Sequence, residues 1–474
     1  MLWFRNDLRV HDNPALDHAL AQGDKQAIYL ATPEQWQKHN QAPIKTDFIL
    51  RHLQLLSEQL LQLGISLTII DVGDFQGQID YLREHAIKQN KAVIANSEIE
   101  INERDRDKKL QQLGCDLSLF CADVIVPHGK VVNLSSDMYK VFTPFKKSWL
   151  RYVRDNGFSY IYRYPKNKNS SLNSSSNSNS KQEHNCVLQL AALRKNLTTK
   201  DSSHWPLIDS VEANVIGNFL SDKISDYNQH RDIPSIKGTS GFSPYLAIGA
   251  LSPRYLLVLI MQRYPDILIS NDSDEFTWLN ELIWREFYRH LLWHFPKLCK
   301  SENFREKYNA LPWPNNPKRL QAWQQGKTGY PIVDAAMRQL NTTGWMHNRL
   351  RMIVASFLTK HLLIDWRLGE KYFSEQLIDC DLAANNGGWQ WSAGTGCDAQ
   401  PYFRVFNPIS QSQKFDPNGD FIRKYLPELK EVPIKHLHFP HQYLAQQNLT
   451  CYWPAIVDHK LARLAALEFY KTNS

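Results

Sequence analysis

Apolar positions along the chain change their period once, near residue 205. Before about residue 130, short continuous apolar runs alternate with segments of helical spacing. Leu2-Trp3-Phe4, Ala27-Ile28-Tyr29-Leu30, Ser66-Leu67-Thr68-Ile69-Ile70 and Ala92-Val93-Ile94-Ala95 read as buried strands. Between the second and third, residues 47–63 repeat apolar positions at helical spacing and stop at Gly64, a predicted C-cap. This alternation predicts an α/β N-terminal domain with a parallel doubly wound sheet, helices on both faces. Residues 163–183 are a run rich in Ser and Asn from which no core can be built, so a flexible connection is expected. Beyond residue 205 strand-like alternation is scarce. Amphipathic stretches at 211–219, 251–264, 276–293, 331–340, 349–360 and 370–377 predict an all-helical C-terminal domain. The expected division is therefore 1–130, an interdomain connection over 131–204, and 205–474.

Composition narrows the class. With 474 residues, 43% hydrophobic and 22% charged, the chain reads as soluble, globular and long enough for two or three domains. No apolar run approaches a membrane span, and the charged start Met1-Leu2-Trp3-Phe4-Arg5-Asn6-Asp7 is no signal peptide. The seven cysteines form no CxxC pair, so neither a metal centre nor a disulfide framework is expected, and the cytoplasm is the expected compartment. A net charge of +7 is compatible with a polyanionic partner. Ten of the 14 tryptophans lie from Trp278 onward, which suits stacking on bases or on an aromatic cofactor as well as a large helical core.

Candidate chemistry concentrates in four places. Asp379-Cys380-Asp381-Leu382-Ala383-Ala384-Asn385-Asn386-Gly387-Gly388-Trp389-Gln390-Trp391 combines acids, amides, glycines and indoles. Its Asn-Asn-Gly-Gly is expected to break a helix and let the backbone approach a polyfunctional planar ligand. Lys237-Gly238-Thr239-Ser240-Gly241-Phe242-Ser243-Pro244 is a hydroxyl-rich turn before a helix, suited to phosphate or to a plain cap. On a helix around Trp278–Tyr288, Trp278, Glu281 and Arg285 share a face, with Trp284 and Tyr288 beside Glu281; an internal salt bridge is the alternative to a polar site. Residues 344–352 start a further helix carrying Asn348, Arg349, Arg351 and Met352. The turn after the first strand has no Gly-rich phosphate signature, and Gly394-Thr395-Gly396-Cys397-Asp398-Ala399 follows no strand, so neither is a dinucleotide site. Two polar clusters, Trp36-Gln37-Lys38-His39-Asn40 and Glu100-Ile101-Asn102-Glu103-Arg104, lie just past strand ends, where open α/β sheets bind ligands.

Taken together, Trp3-Phe4-Arg5-Asn6-Asp7-Leu8-Arg9 and the strings at 278–290, 344–352 and 379–391 resemble the photolyase/cryptochrome family. The resemblance is greatest to class I cyclobutane pyrimidine dimer photolyases of the bacterial, folate-antenna type. It implies an N-terminal α/β domain, a helical FAD-binding domain, and light-driven repair of cyclobutane pyrimidine dimers in DNA. A blue-light photoreceptor of cryptochrome type is the alternative, against which Glu281, Trp284 and Met352 speak.

By that resemblance Tyr227, Thr239, Ser240 and Ser243 would hold the FAD pyrophosphate, with Gly241 and Phe242, where the family often has Arg-Leu, acting through their backbone. Trp278, Glu281, Arg285, Asn348, Arg351, Asp379, Cys380 and Asp381 would surround the ribityl chain and ring, and Asn385 would face flavin N5. Trp389, Trp366 and Trp313 resemble the family's electron relay. His39, Asn102, Glu103, Cys299 and Lys300 match the positions for a 5,10-methenyltetrahydrofolate antenna. For damaged DNA, Glu281, Trp284, Tyr288, Asn348, Met352 and Trp391 would line the pocket of a flipped-out dimer, with Glu281, Asn348 and Asn385 in catalytic roles. Arg231, Arg285, Arg349, Arg404 and Gln411 complete the expected DNA contacts. No metal and no membrane partner is expected, and the chain is expected to act as a monomer.

Overall fold

The computed structural model describes residues 1–162, 176–269 and 273–473, the side chains of 176–181 apart. Five parallel strands, β1 (Leu2–Phe4), β2 (Gln26–Ala31), β3 (Ser66–Asp71), β4 (Val93–Asn96) and β5 (Leu117–Phe120), form one sheet in the order β3-β2-β1-β4-β5. The four expected strands are present. The fifth, Leu117-Ser118-Leu119-Phe120, is short and polar on one face, and its period-2 signal spans too few residues to stand out. Helices Pro14–Ala21, Pro43–Gln62, Phe75–Leu82 and Ile101–Gln112 cover the sheet. Pro43–Gln62 ends as its pattern predicts, with Gly64 in the left-handed region at φ 77.

Strand order reverses after β3, when the chain crosses to the other side of β1, which places a topological switch point between β1 and β4. There Arg5, 3% exposed at its side chain, binds Asp107 at 2.7 Å and lies over the Trp3 ring, locking the helix after β4 to β1. The free edge of β3 is closed by the helix Ser176–Lys195, whose Gln189 Oε1 accepts from the Ile69 backbone N–H at 2.8 Å. This corrects the expectation of a flexible run to residue 183: its first part, 163–175, lies outside the described residues, but the chain is helical from Ser176. Ser and Asn there sit at the start of a helix that gains its apolar contacts further on, through Cys186, Leu190 and Leu193.

From Ile208 onward, among the described residues, the chain is built of helices and loops. The long helix Asp274–His294 is central, buried along Phe276, Leu279, Ile283, Phe287 and Leu291. Its Glu286 is fully enclosed, where burial pushes its carboxyl up to about 7, and accepts from the backbone N–H groups of Ile125 and Val126 and from Trp149 Nε1. That carboxylate ties the helix to the loop leaving β5. No described helix is long and apolar enough to cross a membrane.

One local expectation fails. Asn385-Asn386-Gly387-Gly388 does not break a helix; Leu382–Ala393 runs straight through it. Gly387 is where this helix crosses Asp274–His294: a Cβ there would lie 2.2 Å from Tyr288 Cδ1. The two amides are anchored sideways, Asn385 Nδ2 to the Glu370 carbonyl at 3.0 Å and Asn386 Nδ2 to the Glu370 carboxylate at 2.9 Å. Packing and hydrogen bonds outweigh the ~1 kcal/mol per glycine lost in propensity.

Candidate cofactor and substrate site

Three segments distant in sequence meet at Asp379. Ser243, the first residue of the helix Ser243–Ala247, donates from Oγ to one Asp379 oxygen at 2.7 Å. Arg351, on the helix Asn348–Ser356, donates to both Asp379 oxygens at 3.0 and 2.8 Å. Asp381 caps the Leu382–Ala393 helix by accepting from Ala384 N, while its other oxygen takes Arg289 at 2.6 Å. Burial pulls Asp381 upward, but Arg289 and Arg285 outweigh it and hold the carboxyl below its ordinary value. Arg285 itself donates to the Asp123 carbonyl at 2.7 Å. The acids of residues 379–391 are therefore enclosed and matched by arginines, a donor and acceptor set suited to a ligand with a polyhydroxyl chain and a phosphate.

The hydroxyl turn lies against this frame. Thr239 and Ser240 are half-buried, and Gly238 is required because a Cβ would approach His230 Cβ to 2.6 Å. Tyr227 is buried at the start of the short helix Tyr227–His230. Phe242 faces inward, its ring packed on Phe219 and Trp278 at 5.6 and 6.2 Å. It offers a ligand only backbone. The expected site residue Trp278 likewise has its ring in this core, 5.5 Å from Phe219.

On the expected substrate side, Glu281 does pair with an arginine, but with Arg231 at 2.8 Å and not with Arg285. Burial raises Glu281 and Arg231 offsets part of the rise. Arg349 is likewise engaged, by Asp232 at 3.1 and 2.7 Å, with its guanidinium over Phe415. Two arginines expected as free phosphate clamps thus hold acids in this structure. Arg404 is exposed, as is Asn348, while Met352, Trp391 and Gln411 are half-buried. Trp284 stacks on Phe142 at 3.6 Å and on Tyr288 at 5.7 Å, giving an aromatic wall.

The three expected relay tryptophans differ in exposure. Trp389 and Trp366 are buried at 2% and 0%, while Trp313 is half-buried against Phe469 and Tyr470. Trp389 lies on Gly369, where a Cβ would reach its ring at 2.1 Å; Gly369 is on the helix that Trp366 begins. Trp366 donates to Asn303 at 2.9 Å. Spacing did not single out Trp323, which packs edge-on to Trp389 at 6.0 Å.

A cavity of about 580 Å³ opens at the carboxyl ends of β1, β2 and β4 and reaches Arg285, Arg289 and Asp381. His39, Asn102, Glu103 and Cys299 line it. Asn102 joins the two halves of the chain, contacting His39 Nε2 at 3.3 Å and accepting from Lys300 Nζ at 2.6 Å. Glu103 carries a buried Oε2 with no hydrogen-bond partner, and burial beside Glu100 and Glu98 pushes its carboxyl up to about 8. A buried acid held protonated offers both a donor and an acceptor to a heterocycle, and it fits a folate ring. Cys380 is enclosed beside Ser374, its carbonyl taken by Lys45 at 2.7 Å. Arg289 and Asp123 carry no sequence signal; each is an ordinary charged residue whose place only the fold supplies.

Fold and site together define a two-part flavoprotein architecture. Residues 1–159 match the family model described as DNA photolyase, and residues 278–472 match the FAD binding domain of DNA photolyase. The chain is 44% identical to the deoxyribodipyrimidine photo-lyase of Escherichia coli (strain K12), over 99% of this chain and 98% of that protein. It is 45% identical to the protein of the same name from Vibrio cholerae, over 100% and 99%. A bacterial class III photolyase from Agrobacterium tumefaciens superimposes with a TM-score of 0.76 at 32% identity, covering 99% of this chain and 96% of that one. A cryptochrome of Synechocystis sp. PCC6803 does so at 0.78 and 28%, covering 99% and 98%. The chain belongs to the DNA photolyase family, and its helical part is that family's FAD-binding domain.

Proposed function

We propose that this protein is a deoxyribodipyrimidine photo-lyase, repairing cyclobutane pyrimidine dimers in DNA under light. The observation that carries the reading is the preassembled frame at Asp379, where Ser243 and Arg351, from two distant segments, converge on one carboxylate. Reduced FAD, when bound, supplies on excitation the electron that opens the cyclobutane ring and recovers it afterwards. The protein's part is placement and charge. Ser243, Thr239 and Ser240 would hold phosphate, and Arg351, Arg285 and the two aspartates the polar chain. Because the Glu370 carbonyl can only accept, the Asn385 group facing it is the NH2 end. Its Oδ1 is therefore the free end, an acceptor for a protonated N5.

The wall of Trp284 and Tyr288 suits the faces of an extruded dimer, and Trp391 and Met352 would complete its pocket. Glu281, held by Arg231 at 2.8 Å, would hydrogen-bond a base edge of the dimer. Trp389, Trp366 and Trp313 would pass an electron inward from the surface, and the cavity at Glu103 would hold methenyltetrahydrofolate. We further place the protein in the cytoplasm as a monomer bound to damaged DNA, with the division 1–130, 131–204 and 205–474 kept. The shared fold of a cryptochrome favours a photoreceptor equally, and Glu281, Trp284 and Met352 decide for repair. Purified protein with fully reduced FAD should clear dimers from an oligonucleotide under blue light and not in darkness; absence of light-dependent repair would overturn the reading.

A further inference from the structure

Cysteine spacing predicts no metal centre, yet the loop leaving β5 gathers three metal-ligating side chains within eight residues. Cys121 Sγ lies 3.8 Å from His128 Nδ1 and 4.0 Å from Asp123 Oδ1, and the three atoms all fall within 4.8 Å of one another. Bonds of about 2.0–2.3 Å to a tetrahedral zinc would set such atoms roughly 3.3–3.7 Å apart. Closing the trio on an ion shortens these separations by up to ~1.5 Å, within reach of side-chain rotation.

The backbone between the ligands is already fixed. Arg254 donates to the Cys121 carbonyl at 3.1 Å, Arg9 to that of Ala122 at 2.9 Å, and Arg285 to that of Asp123 at 2.7 Å. Ile125 and Val126 N–H groups are held by the Glu286 carboxylate. Asp123 uses Oδ2 for Arg289, which leaves Oδ1 turned to the thiol. The His128 ring stacks on Trp293, which holds it in place with Nδ1 toward the thiol. Both sides are reachable: the large cavity touches Asp123, and a second, of about 210 Å³, touches His128.

We propose that Cys121, Asp123 and His128 form a three-ligand site for one zinc-class divalent cation, with water in the fourth position. Thiolate, imidazole and carboxylate together select zinc over the oxygen-seeking magnesium and calcium. On binding, the Cys121 S–H bond breaks, a metal–sulfur bond forms, and one proton leaves to solvent. The ion would stand beside the Arg285 and Arg289 pair without replacing either contact. The site does not depend on the repair reading.

The test uses the flavin-loaded protein, stripped with a chelator and given one equivalent of Zn²⁺. After dialysis, metal content and the zinc X-ray absorption fine structure are read. One zinc per chain with a single sulfur at about 2.3 Å is expected. Cys121→Ser and His128→Ala should each weaken zinc binding by more than the ~10–100-fold that losing a supporting residue costs, while Cys451→Ser, at an exposed cysteine, leaves it intact. No retained zinc, a shell of light atoms only, or full retention by both variants overturns the proposal. If a variant fails to fold by circular dichroism, the sulfur shell of the wild-type protein decides.

Discussion

Two adjacent glycines on the Leu382–Ala393 helix give opposite expectations for the same substitution. Gly387→Ala would place a Cβ 2.2 Å from Tyr288 Cδ1 and 2.3 Å from Cε1, against ordinary contact at 3.4 Å or more. The ring must retreat by about 1.2 Å, and it is already stacked on Trp284. Overpacking of this kind costs ~1–3 kcal/mol, against which alanine returns ~1 kcal/mol of helix propensity. The net is a loss of up to ~2 kcal/mol. Gly388→Ala meets nothing within 4 Å and should gain up to ~1 kcal/mol. At ~1–2 °C per kcal/mol for a chain of this length, cofactor-stripped Gly387→Ala should melt up to ~4 °C lower and Gly388→Ala up to ~2 °C higher, read by circular dichroism. Displacing Tyr288 also disturbs Trp284, so Gly387→Ala should raise the KM for dimer-containing DNA. If Gly387→Ala melts at or above the wild-type temperature, Tyr288 yields freely, and close helix crossing is not why a glycine stands there.

Trp389→Phe breaks no hydrogen bond, since the Trp389 Nε1 has none, and should fold normally. It should slow photoreduction of oxidised FAD while sparing repair by pre-reduced enzyme; unchanged photoreduction in a flash experiment removes Trp389 from the relay. Glu103, raised from 4.5 to about 8, binds more protons folded than unfolded across that interval. Stability of the antenna-free protein should therefore be highest near pH 4.5 as far as this group is concerned, and fall as pH rises toward 8. In Glu103→Gln that fall should flatten in urea titrations, and the near-UV antenna band should be lost; an unaltered pH slope counts against the raised carboxyl. Arg404 is exposed, so Arg404→Ala should reduce the slope of log affinity against log salt by about 0.9 in DNA binding. An unchanged slope takes Arg404 off the phosphate path.

Much of the site was legible because its chemistry is local. The hydroxyl turn, the acid pair and the helix faces carrying Arg285 and Arg351 are each readable from a dozen residues. Partners were not. Glu281 was expected near Arg285 by helical spacing, yet Arg231, fifty residues earlier, takes it at 2.8 Å. Asn-Asn-Gly-Gly read as a helix breaker because propensity is a local quantity, whereas the crossing with Tyr288 that sustains the helix is not.

The sequence by itself determined the doubly wound sheet, the helical second half and the family, because alternating periods and long unusual strings survive without three-dimensional context. It also marked which side chains are candidates for the chemistry. Only the tertiary structure decided how those side chains are used: Asp379 as the joint of three segments, Glu103 as a buried acid with one free oxygen, and Cys121, Asp123 and His128 as neighbours. Charge pairing, desolvation and close approach depend on what arrives from elsewhere in the chain. No spacing along it encodes them.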